Sequence, residues 1–386
     1  MNRRGPRGSF LIFVVLISTA GYAFSETCYL TNFSSFPSPS SNSAGPLNVV
    51  ALGSSVMWGD GLHTEHTFRY QVAEWLATTT DKPVRLWTFA HSAAFLKVIS
   101  GTGTLSPDPR VGALNGNWPE GVYPAVTEQV NCAAGRHSLG DANLVLVDGC
   151  INEVNAETIV DPRTDTDDLI ERTRTYCLGT MQQTLEAMKT SFSKATIVVV
   201  AYFPVVSAKS TVSGSSGTRR LAGYVKKKSQ HKMVLPTGPL KSRNLGKSDE
   251  ANVMVVNSEV FYLESKKAIQ LAIDNVNGST PPHIYFAKLP EIQLNGVYTI
   301  DPEFAYGAPR TQEWLFPFQL LWFRINPDEE FGARRVSCKR AYPPGFDRLV
   351  CDSNAAFHPN PKRSSSYANS IEQIFPQTVL TEWKSH

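Results

Sequence analysis

The sequence predicts an α/β fold with a parallel sheet, because short apolar runs alternate with stretches of helical periodicity. Five runs have the length of strands and cover residues 47–52, 84–89, 143–147, 196–201 and 283–286. Four of the five are continuously apolar, which is typical of strands buried on both faces of a parallel sheet.

Apolar residues recur at helical spacing between these runs. The predicted helices cover residues 65–77, 168–192, 248–275 and 366–374. The chain has 386 residues, of which 42% are hydrophobic and 18% charged, so it is long enough for one large packed domain. No internal repeat is evident, which argues against a solenoid or a propeller.

Four segments do not fit the alternation. Residues 26–46 are rich in Ser, Pro and Asn and are predicted to be an irregular lead-in, and residues 101–136 a long loop. Residues 208–247 contain ten Lys or Arg and no acidic residue, and residues 289–331 are dense in aromatic side chains. The last three segments are interpreted as long loop insertions into one domain that covers residues 47–386.

The first 25 residues have the pattern of a signal peptide, with Arg3, Arg4 and Arg7 before an apolar stretch at 10–17. Secretion, and so an extracellular location, is therefore expected. Removing those three arginines from 37 basic residues leaves 34, against 34 acidic residues. This balance argues against a nucleic-acid partner, which requires a basic face.

The cysteines fit an oxidising compartment. Six are present, at positions 28, 132, 150, 177, 338 and 351, and an even number in a secreted chain suggests disulfides. Cys338 and Cys351 are the predicted pair, because they are near each other and flank a loop. Cys150 is interpreted as a disulfide cysteine rather than a catalytic thiol.

A serine follows the first predicted strand inside a turn bounded by Gly53 and Gly59. Such a turn presents a nucleophile at the top of a sheet. A histidine, His358, lies in a loop before the last predicted helix, and small or polar residues follow the second and third strands at 90–94 and 148–153. Because the carboxyl ends of parallel strands meet at one edge, these groups can form an acyl-transfer site.

These four stretches together resemble the sequence blocks of the SGNH, or GDSL, hydrolase family. The Gly-Asp-Ser-like turn carries Ser55, and the Ala-x-Ser-Gly-Ala block is matched by residues 90–94. Residues 149–153 loosely match Gly-x-Asn-Asp, and residues 355–360 match Asp-x-x-His-Pro-Asn. The resemblance implies a three-layer α/β/α flavodoxin-like sandwich with a central parallel sheet of about five strands, and the ester hydrolysis of secreted lipase-type members.

The resemblance also implies roles for individual residues. Ser55 is the nucleophile and His358 the general base. The backbone N–H groups of Ser55 and Ala93 and the side-chain amide of Asn152 form the oxyanion hole. No metal or organic cofactor is implied.

Two departures from the family blocks concern the first and second stretches. Ser54 replaces the Asp that precedes the nucleophile, and Ser54 is itself an alternative nucleophile, although the glycine spacing favours Ser55. Ala93 replaces a glycine whose backbone N–H serves the oxyanion hole, and alanine keeps that N–H.

A third departure concerns the acid of the triad. Ala355 stands where the family has the Asp that orients the histidine. Asp352, six residues before His358, is the predicted substitute, and a backbone carbonyl is the alternative.

His63 and His66 have the His-x-x-His spacing of a metal site. The helical pair of zinc peptidases is one residue longer, and no third ligand is evident. We therefore expect both histidines to be polar residues that cap the first helix, with no metal bound.

The sequence thus predicts a secreted serine ester hydrolase, and the aromatic segment at 289–331 favours an acyl lipid as its ester substrate. One alternative is a carbohydrate acetyl esterase on the same scaffold, and another is a catalytically inactive binding protein of the same fold. The basic segment at 208–247 follows the fourth strand, so it is either a solvated loop or a contact for an anionic lipid surface.

Overall fold

The computed structural model describes residues 30–40, 45–98, 124–136, 139–207, 250–279, 283–289, 306–307, 326–344, 351 and 358–385. Six strands form the central sheet: β1 (Asn32–Phe36), β2 (Leu47–Leu52), β3 (Val84–Thr88), β4 (Leu144–Val147), β5 (Thr196–Val200) and β6 (Ile284–Ala287). Their spatial order is β1-β3-β2-β4-β5-β6.

The five strands β2 to β6 are mutually parallel, and their order is that of a flavodoxin-like sheet. All five predicted strands are confirmed, each to within one residue at either end. Strands β2, β4 and β5 lie inside the sheet and are buried almost throughout, which explains their continuous apolar runs. Their buried side chains form the centre of the core.

The irregular lead-in predicted at 26–46 is wrong in part, because β1 pairs antiparallel with β3 at the edge of the sheet. Its sequence is rich in serine, but two aromatic residues anchor it. Phe33 packs against Trp87 with ring centroids 4.5 Å apart and the rings tilted by 54°, and Phe36 packs edge-to-face against Tyr70 at 4.6 Å. The sheet therefore has six strands, and it is mixed rather than purely parallel.

Helices cover both faces of the sheet. The longer ones are α2 (Phe68–Thr80), α3 (Val126–Ala134), α6 (Thr166–Arg174), α7 (Met181–Ser191), α8 (Glu250–Asn277), α9 (Phe331–Ala341), α10 (Pro361–Ile374) and α11 (Gln377–Ser385). Short helices α1 (Ser55–Trp58), α4 (Ile151–Val154) and α5 (Ala156–Val160) follow β2 and β4. Helix α2 packs against α10 and α11, whereas α3 packs against α7 and α7 against α8. The result is the predicted three-layer α/β/α sandwich.

Several predicted boundaries need correction. Helix α3 lies within the segment 101–136 that was predicted to be a loop. The last predicted helix begins at Pro361 rather than at 366, and α11 follows it. The helix predicted over 168–192 is interrupted by a π-helical segment, Thr175–Thr180, between α6 and α7.

Two disulfides join described residues. Cys338 bonds to Cys351, as predicted, and Cys150 bonds to Cys177 in the π-helical segment, so Cys150 is not a free thiol. Among the described residues, no helix is both long enough and apolar enough to cross a membrane. The signal peptide at 1–25 and the basic segment at 208–247 lie outside the described residues, as does most of 289–331. That last segment contributes a two-stranded pair, β7 (Tyr306–Gly307) with β8 (Asn326–Pro327).

Candidate active site

The turn that carries Ser55 follows β2, at the point where the strand order reverses between β2 and β4. Ligands bind at such points in open α/β sheets. Gly53 adopts φ +142°, and a Cβ there would lie 1.8 Å from the Asp148 carboxylate, so only glycine fits. Ser54 precedes the first turn of α1, and Ser55 is its first residue.

The two serines of this turn have different surroundings. Ser54 is fully buried, and both its backbone N–H and its hydroxyl donate to Asp148, at 2.6 and 2.8 Å. The side chain of Ser55 has no hydrogen-bond partner among the described residues, and its backbone N–H is one of those that a helix start leaves without an intrahelical acceptor. The Ser54 hydroxyl is therefore engaged in a structural contact, whereas no such contact engages the Ser55 hydroxyl among the described residues.

A buried arginine fixes the other end of α1. Arg69 donates to the carbonyl oxygens of Met57 and Trp58, at 2.7 and 2.6 Å, and to the Thr88 hydroxyl at 3.1 Å. Burial lowers the pKa of its guanidinium to about 9. A cation at a helix C-terminus is electrostatically favourable, so Arg69 holds the turn through its carbonyl groups.

Gln129 supports the turn from the opposite side. Its side-chain oxygen accepts from the Gly53 N–H at 2.8 Å, and its amide donates to the Gly53 carbonyl at 3.1 Å. Gln129 belongs to α3, which the sequence pattern did not predict. Its role was therefore not foreseen either.

The second and third predicted stretches meet each other beside this turn. The Asn152 amide donates to the Ala94 carbonyl oxygen at 2.7 Å, which uses one of its two N–H bonds. Ala93 has φ +59°, a left-handed conformation that favours glycine.

His358 lies two residues before the N-cap of α10. Asn360 is the N-cap, and its side chain accepts from the Arg363 N–H at 2.9 Å, with Pro361 in the first turn. The His358 side chain is 12% exposed, and its Nε2 lies 3.9 Å from Asp60 Oδ2. The loop between Cys351 and His358, including Asp352, lies outside the described residues, so Asp352 stays a prediction.

Asp60 is a residue that the sequence reasoning missed. Its backbone N–H donates to the Ser55 carbonyl oxygen at 2.9 Å, and its carboxylate accepts from the Ser92 hydroxyl at 3.0 Å. Because Asp60 also approaches His358, it links the first, second and last predicted stretches. No motif signals it, because Asp60 lies just beyond the turn bounded by Gly53 and Gly59 and its side-chain partners are distant in sequence.

Three buried titratable groups line the strand ends. Burial raises the pKa of Asp148 to about 6 and the pKa of Glu153 to about 7, and the proximity of Asp148 adds to the shift at Glu153. Glu153 accepts from the Leu96 N–H. Burial lowers the pKa of His91 to about 4, so this imidazole is neutral near pH 7.

The capping role predicted for His63 and His66 is wrong. His63 is the residue before a 3₁₀ turn, Thr64–His66, that lies ahead of α2, and His66 is its last residue; neither caps a helix with its side chain. Both imidazoles instead contact Glu330, a residue that precedes α9. A third member of this cluster, which the sequence did not reveal, therefore comes from far along the chain.

Comparisons with known proteins give weak similarity only. No protein-family model and no curated protein sequence matches the chain. A phospholipase A1 from Streptomyces albidoflavus has 12% identity and a TM-score of 0.33, with 64% of this chain and 80% of that chain covered. An extracellular lipase from Streptomyces rimosus has 13% identity and a TM-score of 0.31, with coverages of 62% and 79%.

A carbohydrate esterase family 2 enzyme with a carbohydrate-binding domain, from Corynascus thermopiles (Myceliophthora fergusii), has 13% identity and a TM-score of 0.24. The alignment covers 60% of this chain and 69% of that chain. TM-scores this low carry no inference about family or activity. The function has to be inferred from the residues of this chain.

Proposed function

We propose that this protein is a serine hydrolase that cleaves carboxylic esters through an acyl-serine intermediate. The observation that carries the proposal is the environment of Ser55. Ser55 lies on the turn at the switch point of the sheet. Its hydroxyl makes no hydrogen bond within the described residues, whereas the Ser54 hydroxyl donates to Asp148. Asp60 connects the same turn to His358, a candidate general base.

In the proposed reaction, the Ser55 oxygen attacks the acyl carbon of the ester while His358 accepts the hydroxyl proton. The tetrahedral intermediate then collapses, the ester C–O bond breaks, and the alcohol leaves with the proton from His358. Water, deprotonated by His358, attacks the acyl-serine in the second half. The acid is released and Ser55 regains its proton, so no cofactor is consumed.

Three N–H groups are proposed to stabilise the oxyanion. The backbone N–H of Ser55 lies at the helix start, and that of Ala93 lies in the strained turn after β3. The Asn152 amide keeps a second N–H after donating to Ala94. Donors held in advance of the reaction stabilise developing negative charge without reorganisation.

A carboxylate near His358 stabilises the imidazolium that forms when it accepts the proton. Asp60 is supported for this role by its 3.9 Å separation from His358 Nε2 and by its burial. Asp352 is the second candidate, on the family pattern alone. The two assignments are tested separately in the Discussion.

We propose acyl lipids as the substrate class, on the aromatic content of residues 289–331. Export is proposed from the signal-like N-terminus and is supported by the disulfides Cys150–Cys177 and Cys338–Cys351, which form in oxidising compartments. The rival substrate is an acetylated carbohydrate, because aromatic clefts also stack sugars.

The test is hydrolysis of p-nitrophenyl esters of increasing acyl length, with a fluorophosphonate probe on the same preparation. We expect turnover of medium or long acyl chains and probe labelling of Ser55. Turnover of acetate alone would favour the carbohydrate esterase and contradict the lipid assignment. Absence of both turnover and labelling in folded protein would contradict the hydrolase proposal and favour an inactive binding protein.

A further inference from the structure

Outside the surroundings of Ser55, the side chains of His63, His66 and Glu330 meet in one cluster. His63 Nδ1 contacts Glu330 Oε2, and His66 Nδ1 lies 2.5 Å from Glu330 Oε1. One ligand atom from each residue lies within 4.8 Å of the other two. The Glu330 side chain is 3% exposed, whereas the histidines are 42% and 44% exposed, so the cluster has a buried carboxylate and an open side.

The local backbone explains how a three-residue spacing brings the two imidazoles together. Residues i and i+4 share a face in an α-helix, but residues i and i+3 eclipse each other in a 3₁₀ turn. His63 and His66 are the N-cap and last residue of such a turn. The spacing that is one residue short for a helical zinc motif therefore suits the structure that this segment adopts.

We propose that His63, His66 and Glu330 bind a divalent transition metal ion, with Zn²⁺ as the best match to the donors. Two imidazole nitrogens and a carboxylate oxygen are ordinary zinc ligands, whereas Ca²⁺ and Mg²⁺ prefer oxygen alone. Zinc holds such atoms at about 2.0–2.2 Å, so the nitrogen–oxygen contacts of the cluster widen slightly to admit it. In the metal-bound form each neutral imidazole carries its N–H on Nε2 and offers the Nδ1 lone pair to the ion, and water completes the coordination from the open side.

The neighbouring contacts indicate a structural role for this ion. Arg334 donates to the Gly61 carbonyl at 2.9 Å and pairs with Asp328 at 2.5 Å, in the same region as Glu330. The metal would therefore fasten the start of α9 to the turn that follows Asp60. Since Asp60 contacts both Ser55 and His358, the ion stabilises the scaffold of the candidate active site without taking part in ester chemistry.

The test is titration of the full chain, stripped with EDTA, with Co²⁺ followed by displacement with Zn²⁺. We expect one equivalent of Co²⁺ to give the visible absorption of a low-coordinate nitrogen–oxygen site, Zn²⁺ to abolish it, and Zn²⁺ to raise the melting temperature. His66→Ala and His63→Ala should each weaken metal binding at least about tenfold. Loss of a residue that only hydrogen-bonds to a metal ligand already lowers metal affinity by that much. His283→Ala, at an exposed histidine, is the matched control and should bind like wild type.

Absence of a cobalt spectrum in the folded wild-type chain would overturn the proposal and leave a hydrogen-bonded His–Glu–His cluster. Equal affinity in wild type, His66→Ala and His63→Ala would overturn it too, because the ion would then bind elsewhere. If an alanine variant fails to fold, His66→Gln keeps a hydrogen-bonding side chain and serves in its place. Fluorophosphonate labelling of Ser55 is independent of these readouts, so failure here leaves the hydrolase proposal standing.

Discussion

Asp148 accepts two hydrogen bonds from Ser54, one from the backbone N–H at 2.6 Å and one from the hydroxyl at 2.8 Å. The carboxylate that follows β4 thereby fixes the turn that follows β2, across the switch point of the sheet. The same contact engages the Ser54 hydroxyl and leaves the next serine as the nucleophile candidate. We therefore predict separable roles for the two serines, with Ser54 acting in stability and Ser55 in the proposed reaction.

Substitution of the two serines should separate these roles. Ser55→Ala should abolish ester hydrolysis with little change in the free energy of unfolding, because Ser55 makes no side-chain hydrogen bond within the described residues. Ser54→Ala should keep most activity but lose about 1–3 kcal/mol of stability, since it leaves a buried carboxylate with one partner fewer. Initial rates of ester hydrolysis and urea unfolding of both variants are the measurements. An inactive Ser54→Ala variant would assign the nucleophile to Ser54 instead of Ser55.

His358→Ala should reduce the rate as much as Ser55→Ala does. A nucleophile and its base act as one unit, so the double variant should be no slower than either single variant. Fluorophosphonate labelling should also be lost in His358→Ala, because the probe needs an activated hydroxyl. Labelling at the wild-type rate would remove His358 from the mechanism.

The left-handed conformation of Ala93 predicts a stabilising substitution. An alanine in this region costs about 1–2 kcal/mol, part of which the flexibility of glycine offsets in the unfolded chain. Ala93→Gly should therefore raise the free energy of unfolding by up to about 1 kcal/mol and keep activity, since the N–H is retained. The control is Ala94→Gly, at a buried residue without positive φ, which should lose stability. Equal destabilisation by both changes would contradict the strain argument.

The proposed oxyanion hole predicts a specific kinetic effect at Asn152. Asn152→Ala should lower kcat by about a hundredfold or more, or roughly 3 kcal/mol, with a small change in KM. The exposed Asn275, whose amide bonds to Gln182 at 3.0 Å, provides the matched alanine control. A fall in stability with unchanged kcat would reduce Asn152 to the structural contact with Ala94.

Two carboxylates compete for the role beside His358. Asp60→Asn keeps an acceptor for Ser92 but removes the charge 3.9 Å from the imidazole, so the rate should fall at least about tenfold. If Asp60 is the positioning residue, Asp352→Asn should have nearly wild-type kcat, and the pH profile should change in the Asp60 variant alone. The opposite pattern would return the triad to the arrangement that the family blocks predict.

The sequence predicts the parts of this fold whose signals are local. The runs that became β2, β4 and β5 are continuously apolar because both faces are buried, and such runs are readable without a partner. Strand β1 is different, because its place depends on the packing of Phe33 against Trp87, which are far apart in sequence. Its serine-rich composition gave the wrong prediction.

The residues of the candidate site also differ in whether their signals are local in sequence. Ser55 lies in the turn after β2 and Asn152 in the short helix α4 after β4, so their position at the sheet edge was predictable from the chain order. Asp60, Gln129 and Glu330 owe their roles to partners that the fold brings from other segments. The spacing of His63 and His66 is one residue short of the i, i+4 spacing of metal ligands on an α-helix. That comparison does not apply, because His63 lies at the start of a 3₁₀ turn.

The last prediction concerns the buried Glu153. Its pKa is raised from the ordinary 4.5 to about 7, mainly by burial and also by the nearby Asp148, so the folded state holds this proton more tightly than the unfolded state does. The unfolded state therefore binds fewer protons in this range, and the contribution of Glu153 to stability is lost as pH rises from about 4.5 to about 7. Glu153→Gln removes that loss, so the stability of the variant relative to wild type should rise across this range, on the order of 2–3 kcal/mol in total.

The comparison between variants is needed because other groups titrate in the same range. Asp148 acts in the same direction as Glu153, whereas the depressed pKa of His91 makes its contribution fall as pH drops from 6.5 towards about 4. Urea unfolding at half-unit steps of pH isolates the contribution of Glu153 to the free energy of unfolding. The exposed Glu382→Gln is the control. A Glu153→Gln curve parallel to wild type would mean that the Glu153 carboxyl has nearly the same proton affinity in both states. A variant that becomes progressively less stable than wild type as pH rises would mean that the ionised carboxylate stabilises the fold through its hydrogen bond from Leu96.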